Sequence, residues 1–233
     1  MKPEKAYIIV INDELSIEYA AHAVKSCNDL GIESQIIMGL QGLDRVQAWS
    51  HVKDNIIVRS AMDDKAACAS ASHAIIWQMI ADNEECAIVL EHDALMLHKL
   101  DIDIPDNRLV ALGYKYRNPE GYDHRRAGPT TRLLPIGMHG GAHAYALTHI
   151  TARILLKELY EEGVCEAVDN RYFLRNFPEV VTKVPMSICD PISAIGWIRE
   201  STIWDAGAEQ QNLTFLRSFI VNSDFKSLFH KTE

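Results

Sequence analysis

Short apolar runs recur along the first half of the chain, and longer stretches with apolar residues every three or four positions separate them. "YIIVI" (7–11), "QIIM" (35–38), "NIIV" (55–58), "CAIVL" (86–90) and "RLVAL" (108–112) have strand length. "SIEYAAHAVKSCNDLG" (16–31) has helical spacing, with Ser16 placed to cap its start and Gly31 to end it. "DDKAACASASHAIIWQMIAD" (63–82) is a second expected helix, with Asp63 and Asp64 at the positive end of its dipole. Strands alternating with helices indicate βαβ units, hence an α/β fold with a central, mostly parallel sheet.

From residue 113 the alternation fades. Residues 113–143 are rich in Gly, Pro, Arg and His and read as a long loop region with room for a hairpin. Loops of that length are usually functional or disordered. "AYAL" (144–147) reads as a strand. Thr148 then caps the helix "HITARILLKELYEEG" (149–163), whose Ile150, Ile154, Leu155 and Leu159 share a face and which Gly163 ends. "VVTKVP" (180–185) is the last expected strand, and the tail from Asp190 is mixed and polar. No repeat, low-complexity segment or linker divides the chain, so a single domain over 1–233 is expected.

Composition adjusts this picture only at its margins. A chain of 233 residues that is 48% hydrophobic can bury a sizeable core. Its net charge of −9 argues against a nucleic-acid or anionic-membrane surface, which needs a basic face. The apolar run at 6–11 is shorter than a signal-peptide core, and no run approaches the roughly 20 residues of a membrane span. The five cysteines are scattered without a CxxC pair, which fits reduced thiols and a cytoplasmic setting. The phosphate-loop, nucleophile-elbow and dinucleotide-binding glycine motifs are absent from the sequence, which argues against those enzyme classes.

Four clusters carry candidate chemistry. Glu91, His92 and Asp93 follow the apolar run 86–90. Two carboxylates two positions apart point the same way in an extended chain, and such a pair suits a hard divalent cation. A solvated strand end has the same composition. His73 and Trp77 share a helix face four residues apart and fit either core packing or a site. "GMHGGAHAY" (137–145) sets His139 and His143 around glycines, as in a binding loop or a simple turn into the next strand. Asp169, in "EAVDNRYFL" (166–174), suits a helix cap or a general base.

Taken in order, these segments resemble glycosyltransferase family 25, the lipooligosaccharide and collagen galactosyltransferase family. Ser72, His73 and Trp77 of "CASASHAIIW" (68–77) match its Ser-His helix, and Leu90, Glu91 and Asp93 of "VLEHDA" (89–94) match its apolar strand ending in acids. "GAHAYAL" (141–147), "AVD" (167–169) and "VPMSICDP" (184–191) follow in the family's order, so the resemblance spans roughly residues 6–203. The chain departs from the pattern at Cys68, Ala69, His92 and Ala167.

The resemblance implies a GT-A type, Rossmann-like fold, with residues 1–112 as the nucleotide-binding half and 113–233 as the acceptor half and tail. It implies a metal-dependent transfer of a hexose, glucose or galactose, from a UDP-sugar to a saccharide or other hydroxyl acceptor, with inversion. It implies Mn²⁺ or Mg²⁺ on an acid-x-acid motif. Asp93 is then the expected direct ligand, and Glu91 a ligand through water or a contact to the sugar. Asp190 is the expected third ligand, with His139 and His143 as alternatives, and His92 is expected to pack or cap. Asp169 becomes the candidate base, and Ser72 and His143 candidate substrate contacts. Asn12, at the end of the first strand, is placed for base or ribose, and Lys115, Arg117, Arg125 and Arg126 for phosphate. Two other functions use the same residues: a metal-dependent phosphoester hydrolase or nucleotidyltransferase, and a non-catalytic UDP-sugar-binding module.

Overall fold

The computed structural model describes residues 1–58, 62–112, 130, 132–136, 142–164, 186–190 and 195–197. Strand β1 (Lys5–Val10) pairs in parallel with β2 (Glu33–Met38) on one side and β3 (Cys86–Glu91) on the other. Helix α1 (Glu14–Asp29) carries the chain from β1 to β2, and helices α2 (Arg45–Ser50) and α3 (Asp64–Asp82) lie between β2 and β3. The chain thus moves outward from β1 to β2, then returns to lay β3 on β1's other side. Strand order reverses between β1 and β3, and in open α/β sheets ligands bind outside the carboxyl ends of the strands at such a point.

Beyond β3 the seven-stranded sheet continues with β7 (Ala144–Thr148), β5 (Leu109–Ala111), β8 (Met186–Asp190) and β6 (Arg132–Ile136). β7 is antiparallel to β3 and β5, β8 is parallel to β5, and β6 is antiparallel to β8. β1, β2, β3, β5 and β8 therefore point one way, and β7 and β6 the other. The expected α/β architecture with a mostly parallel central sheet is present, in mixed form. A two-stranded ribbon pairs β4 (Ala94–Met96) with β9 (Ile195–Trp197).

The alternation of side chains builds a core on each face of the sheet. Ala6, Ile8 and Val10 of β1 and Ile88 and Leu90 of β3 pack with Ala20, Ala23 and Cys27 of α1. Tyr7, Ile9, Val89, Tyr145 and Leu147 pack on the other face with Trp77 and Ile80 of α3 and with Leu155 and Leu159 of α4 (His149–Glu162). Each fully buried Leu, Ile or Val side chain contributes about 1.5–3 kcal/mol. Cys27, Cys68 and Cys86 are free and buried. Burial pushes the Cys27 and Cys86 thiols up to about 12, so both behave as small apolar residues.

Several local expectations need correction. Asp13, not Ser16, caps α1: its backbone is extended and its carboxylate accepts from Ser16 N. Ser16 is instead buried, and its Oγ accepts from Ile11 N at 3.0 Å. Residues 55–58 form no strand. Asn55 has φ 59°, which breaks the extended run, and only Val58 makes a bridge, to Val164. Helix α2 was not anticipated, although the capping box of Asp44 and Gln47 that starts it stands in the sequence. On α4, Leu155 and Leu159 are buried as expected, but Ile150 and Ile154 are only partly covered, and Ala152 and Leu156 complete the packed face. The expected strand at 180–185 lies outside the described residues, and β9 falls in the tail read as irregular.

Candidate functional site

Three loops meet at the carboxyl end of β2, β1 and β3. After β1, Asn12 N donates to Gln41 Oε1 at 2.9 Å, which ties this turn to the loop after β2. That loop is fixed by Gly39 N donating to Val10 O at 2.7 Å and by Leu40 N donating to Ser72 Oγ at 2.8 Å. A Cβ on Gly39 would stand 3.0 Å from Ile9 Cγ2 and 3.3 Å from Ser72 Oγ, so a larger residue here would push the loop off α3. Ser72 is buried and donates its own hydrogen to Cys68 O at 2.7 Å. Its hydroxyl thus braces the loop from behind, while the Asn12 side chain is exposed at the end of β1.

β3 ends on Glu91, whose N–H donates to His143 O at 2.9 Å across the β3–β7 pair. Residues directly opposite in an antiparallel pair share a face, so Glu91, His143 and, two residues on, Tyr145 all face α3. From α3 the buried His73 sets Nε2 3.6 Å from Glu91 Oε1, a polar contact longer than a hydrogen bond. Its Nδ1 lies 2.9 Å from Tyr145 Oη, and Trp77 Nε1, one turn further along α3, donates to the same oxygen at 2.8 Å. The rings of His73 and Tyr145 also touch, with centroids 5.7 Å apart.

The electrostatics follow from this enclosure. Burial opposes ionisation of Glu91, but the pull of the neighbouring imidazoles, His73 first and then His143 and His92, more than offsets it. The carboxyl is held well below the usual range and is ionised at neutral pH. Burial, and then the Glu91 charge, move the Tyr145 hydroxyl the other way, so it remains a protonated phenol despite its bond from Trp77.

His92 points to the opposite face, as alternation requires, and stacks on Tyr19 of α1 at 6.3 Å between centroids and 5° between planes. The packing role expected for it is what the structure shows. Asp93 lies in the two-residue turn between β3 and β4 and is 9% exposed. Ala94 pairs with Trp197, so the C-terminal ribbon passes beside this turn. Asp190 ends β8 opposite Arg132, at the same end of the sheet as Glu91. The order β3-β7-β5-β8 leaves three strand spacings between them, about 14 Å at roughly 4.8 Å each. Asp169, His139, Lys115, Arg117, Arg125 and Arg126 lie outside the described residues.

The structure therefore brings together Asn12, the Ser72-braced loop, Glu91, Asp93 and His143. Sequence reasoning missed Tyr145 and Gln41. Tyr145 lies inside the segments 137–145 and 141–147 but is not singled out there, and its partners are 72 and 68 positions away, so no local spacing marks it. Among the described residues no group of three or more His, Cys, Asp or Glu side chains gathers as a ready-made metal cage. The donor set nevertheless suits a hard cation of the kind that takes one or two carboxylates and completes its shell with substrate phosphates and water. Glu91 is ionised and 38% exposed in its side chain, and Asp93 stands two residues away.

No family model matches the chain. No curated protein matches it either. The solved structures it is similar to include glycosyltransferases. Against apo GlyE of Streptococcus pneumoniae TIGR4 it is 15% identical with a TM-score of 0.35, over 71% of this chain and 41% of that one. The chain thus spans about two-fifths of GlyE. Against an active-site mutant of LgtC the values are 12% and 0.36, over 92% and 95% of the two chains. Against a mutant of Drosophila β1,4-galactosyltransferase 7, in complex with manganese, UDP-Gal and xylobiose, they are 9% and 0.34, over 90% and 98%. These likenesses are loose. Among the described residues, no helix is long and apolar enough to cross a membrane.

Proposed function

We propose that the chain is a metal-dependent glycosyltransferase of the GT-A type, moving a hexose, glucose or galactose, from a UDP-sugar to a hydroxyl acceptor. The observation that carries this reading is the Glu91–Asp93 pair at the carboxyl end of β3, beside the β1–β3 switch point, with Glu91 kept ionised by imidazoles. The ordered motifs that resemble glycosyltransferase family 25 support it.

In the transfer, the bond from the anomeric carbon to the diphosphate oxygen breaks, a bond to the acceptor oxygen forms, and the acceptor proton passes to a base. Glu91 and Asp93 are the residues to hold a divalent cation, manganese or magnesium, whose shell is completed by donor phosphates and water rather than by Asp190, three strand spacings away. When bound, that ion supplies Lewis-acid stabilisation of the diphosphate as it leaves. His143, opposite Glu91 across the β3–β7 pair, is the proposed contact to the donor. Asn12 and the loop braced by Ser72 border the crevice where the nucleotide lies in this reading. Asp169 is the proposed base, taking the acceptor proton from the face opposite the leaving group, which gives inversion.

Incubation with a panel of UDP-sugars and Mn²⁺, measuring UDP release, tests the proposal. The wild-type protein is expected to release UDP in the presence of one of them. Asp93→Ala is expected to lose at least 100-fold in rate, on the order of 3 kcal/mol of transition-state stabilisation. Turnover of nucleoside triphosphates or simple phosphate esters without sugar transfer would replace the proposal with a hydrolase or nucleotidyltransferase. UDP-sugar binding without turnover on any acceptor or water would reduce it to a binding module.

A further inference from the structure

The histidine behind Glu91 has no part in the transfer as written, yet it is among the most enclosed polar groups of the fold. His73 is 1% exposed, and both of its ring nitrogens face polar atoms of other elements: Nδ1 to Tyr145 Oη at 2.9 Å on β7, Nε2 to Glu91 Oε1 at 3.6 Å on β3. Tyr145 is anchored in turn by Trp77 Nε1 at 2.8 Å.

We infer that His73 is a positioning residue. Trp77 and Tyr145 fix its ring, and its Nε2–H, 3.6 Å from Oε1, steers the Glu91 carboxylate electrostatically toward the orientation that receives a ligand. The inference rests on Glu91 belonging to the donor site proposed above.

The donor and acceptor inventory fixes the direction of the chain. Trp77 Nε1 can only donate, so Tyr145 Oη accepts there. A lone pair on Nε2 would face the lone pairs of an ionised carboxylate, so Nε2 carries the hydrogen. A neutral imidazole then presents an acceptor at Nδ1, and the Tyr145 hydroxyl donates to it. The sequence Trp77 to Tyr145 to His73 to Glu91 crosses from α3 to β7, back to α3 and on to β3. Each member is held by an element other than the one that carries it. This is what a carboxylate at a half-exposed strand end requires, because on its own it samples several rotamers. Groups that orient metal-ligating residues from behind typically matter by 10–100-fold in metal affinity or activity.

Two readouts on the full chain test the inference without relying on turnover. Nitrogen-15 spectra of the histidine rings should give a His73 signature of protonated Nε2 and unprotonated Nδ1, and Tyr145→Phe should disturb it. Mn²⁺ affinity, read by quenching of water relaxation, should fall about 10–100-fold in His73→Phe, which keeps the ring volume and removes both nitrogens. His73→Gln, which can still present an N–H toward Glu91, should recover most of that loss while its thermal midpoint stays near that of His73→Phe. If His73→Phe fails to fold, Tyr145→Phe serves in its place, with several-fold weaker Mn²⁺ binding expected.

A His73 ring protonated on Nδ1 and bare on Nε2 would overturn the inference. So would unchanged Mn²⁺ affinity in both His73→Phe and Tyr145→Phe. If the wild-type protein itself binds no Mn²⁺, the metal in the proposed function fails. The ring-nitrogen signature and its response to Tyr145→Phe then decide the positioning role alone.

Discussion

The two ends of the central sheet are held together by different chemistry. At the amino end, Lys2 meets Asp101 at 2.5 Å, the N-terminal amine meets Asp103 at 3.3 Å, and Arg153 meets Glu84 at 2.9 Å. All of these side chains are largely exposed, and such pairs are worth little in water. At the carboxyl end, side chains bond to backbone: Ser16 accepts from Ile11 N, Gln41 from Asn12 N and Ser72 from Leu40 N. The contrast is sharpest along β3 itself. Glu85, just before the strand, is reached by the Tyr7 hydroxyl and, at 3.3 Å, by the Asn83 amide. Glu91, at the other end, is approached by His73 of α3 at 3.6 Å and lies opposite His143, which leads into β7. An end that only closes the fold can rely on exchangeable surface charge, whereas an end that must hold loops for a ligand needs bonds that fix backbone.

The largest effect is expected where the carboxyl-end network passes through the core. Trp77→Ala removes a fully buried side chain and the donor to Tyr145, and should cost about 3–5 kcal/mol in denaturant unfolding. Tyr145→Phe keeps the packing and removes only the hydroxyl. It leaves the Trp77 and His73 nitrogens without that partner and should cost about 1–3 kcal/mol. A loss below about 0.5 kcal/mol would remove the distinction drawn between the two ends.

Ser72→Ala is a finer probe. It frees the part-buried Leu40 N–H and should cost about 1 kcal/mol of stability. In the proposed enzyme its catalytic effect should fall on KM for the donor more than on kcat, because it loosens a loop bordering the crevice without touching the acid pair. The matched change at the amino end is Tyr7→Phe, which breaks the contact with Glu85. A cost of about 0.5–1.5 kcal/mol with unchanged kcat and KM is expected there. A change in KM equal to that of Ser72→Ala would mean that the two ends are coupled.

Much of this was legible in the chain, and what was not has physical causes. β1, β2, β3, β5 and β7 each contain an apolar run dense enough to read as strand, and α3 and α4 begin after caps, Asp63 and Thr148, that the sequence displays. Glu91 and Asp93 stood out because acids interrupt an otherwise apolar stretch. β4 and β9 are three residues long and pair across some 100 positions, so no periodicity announces them. β6 carries Pro135 in a Gly- and Pro-rich region, which argues locally against a strand, and among the described residues it pairs only with β8. The α1 cap was misjudged by three residues because Asp13 and Ser16 are equally good caps, and only burial of Ser16 under Ile11 decides between them. The His73–Tyr145 contact is of the same kind: His73 stood out in the sequence, but its pairing with Tyr145 shows only once the sheet brings the two together.

The smallest effect separates two roles of one surface residue. Arg153 Nη2 lies 2.9 Å from Glu84 Oε1 and also donates to Ala81 O at 3.0 Å, in the last turn of α3. The hydrogen bond and charge of Arg153 hold the Glu84 carboxyl below its ordinary value of 4.5. A depressed carboxyl contributes stability above its unfolded pKa and loses that contribution as pH falls through its folded one. Any gap between wild type and Glu84→Gln at pH 7 should therefore close as the solution is acidified below 4.5. In moderate salt the gap should already be near the limit of measurement, since the pair is solvent-exposed and screened. Arg153→Ala should cost measurably more than Glu84→Gln, because it also strips a bond from a helix-end carbonyl, and that excess should persist in high salt. Equal and salt-sensitive losses in the two variants would mean that Arg153 acts here through its charge alone, and that its backbone bond contributes nothing.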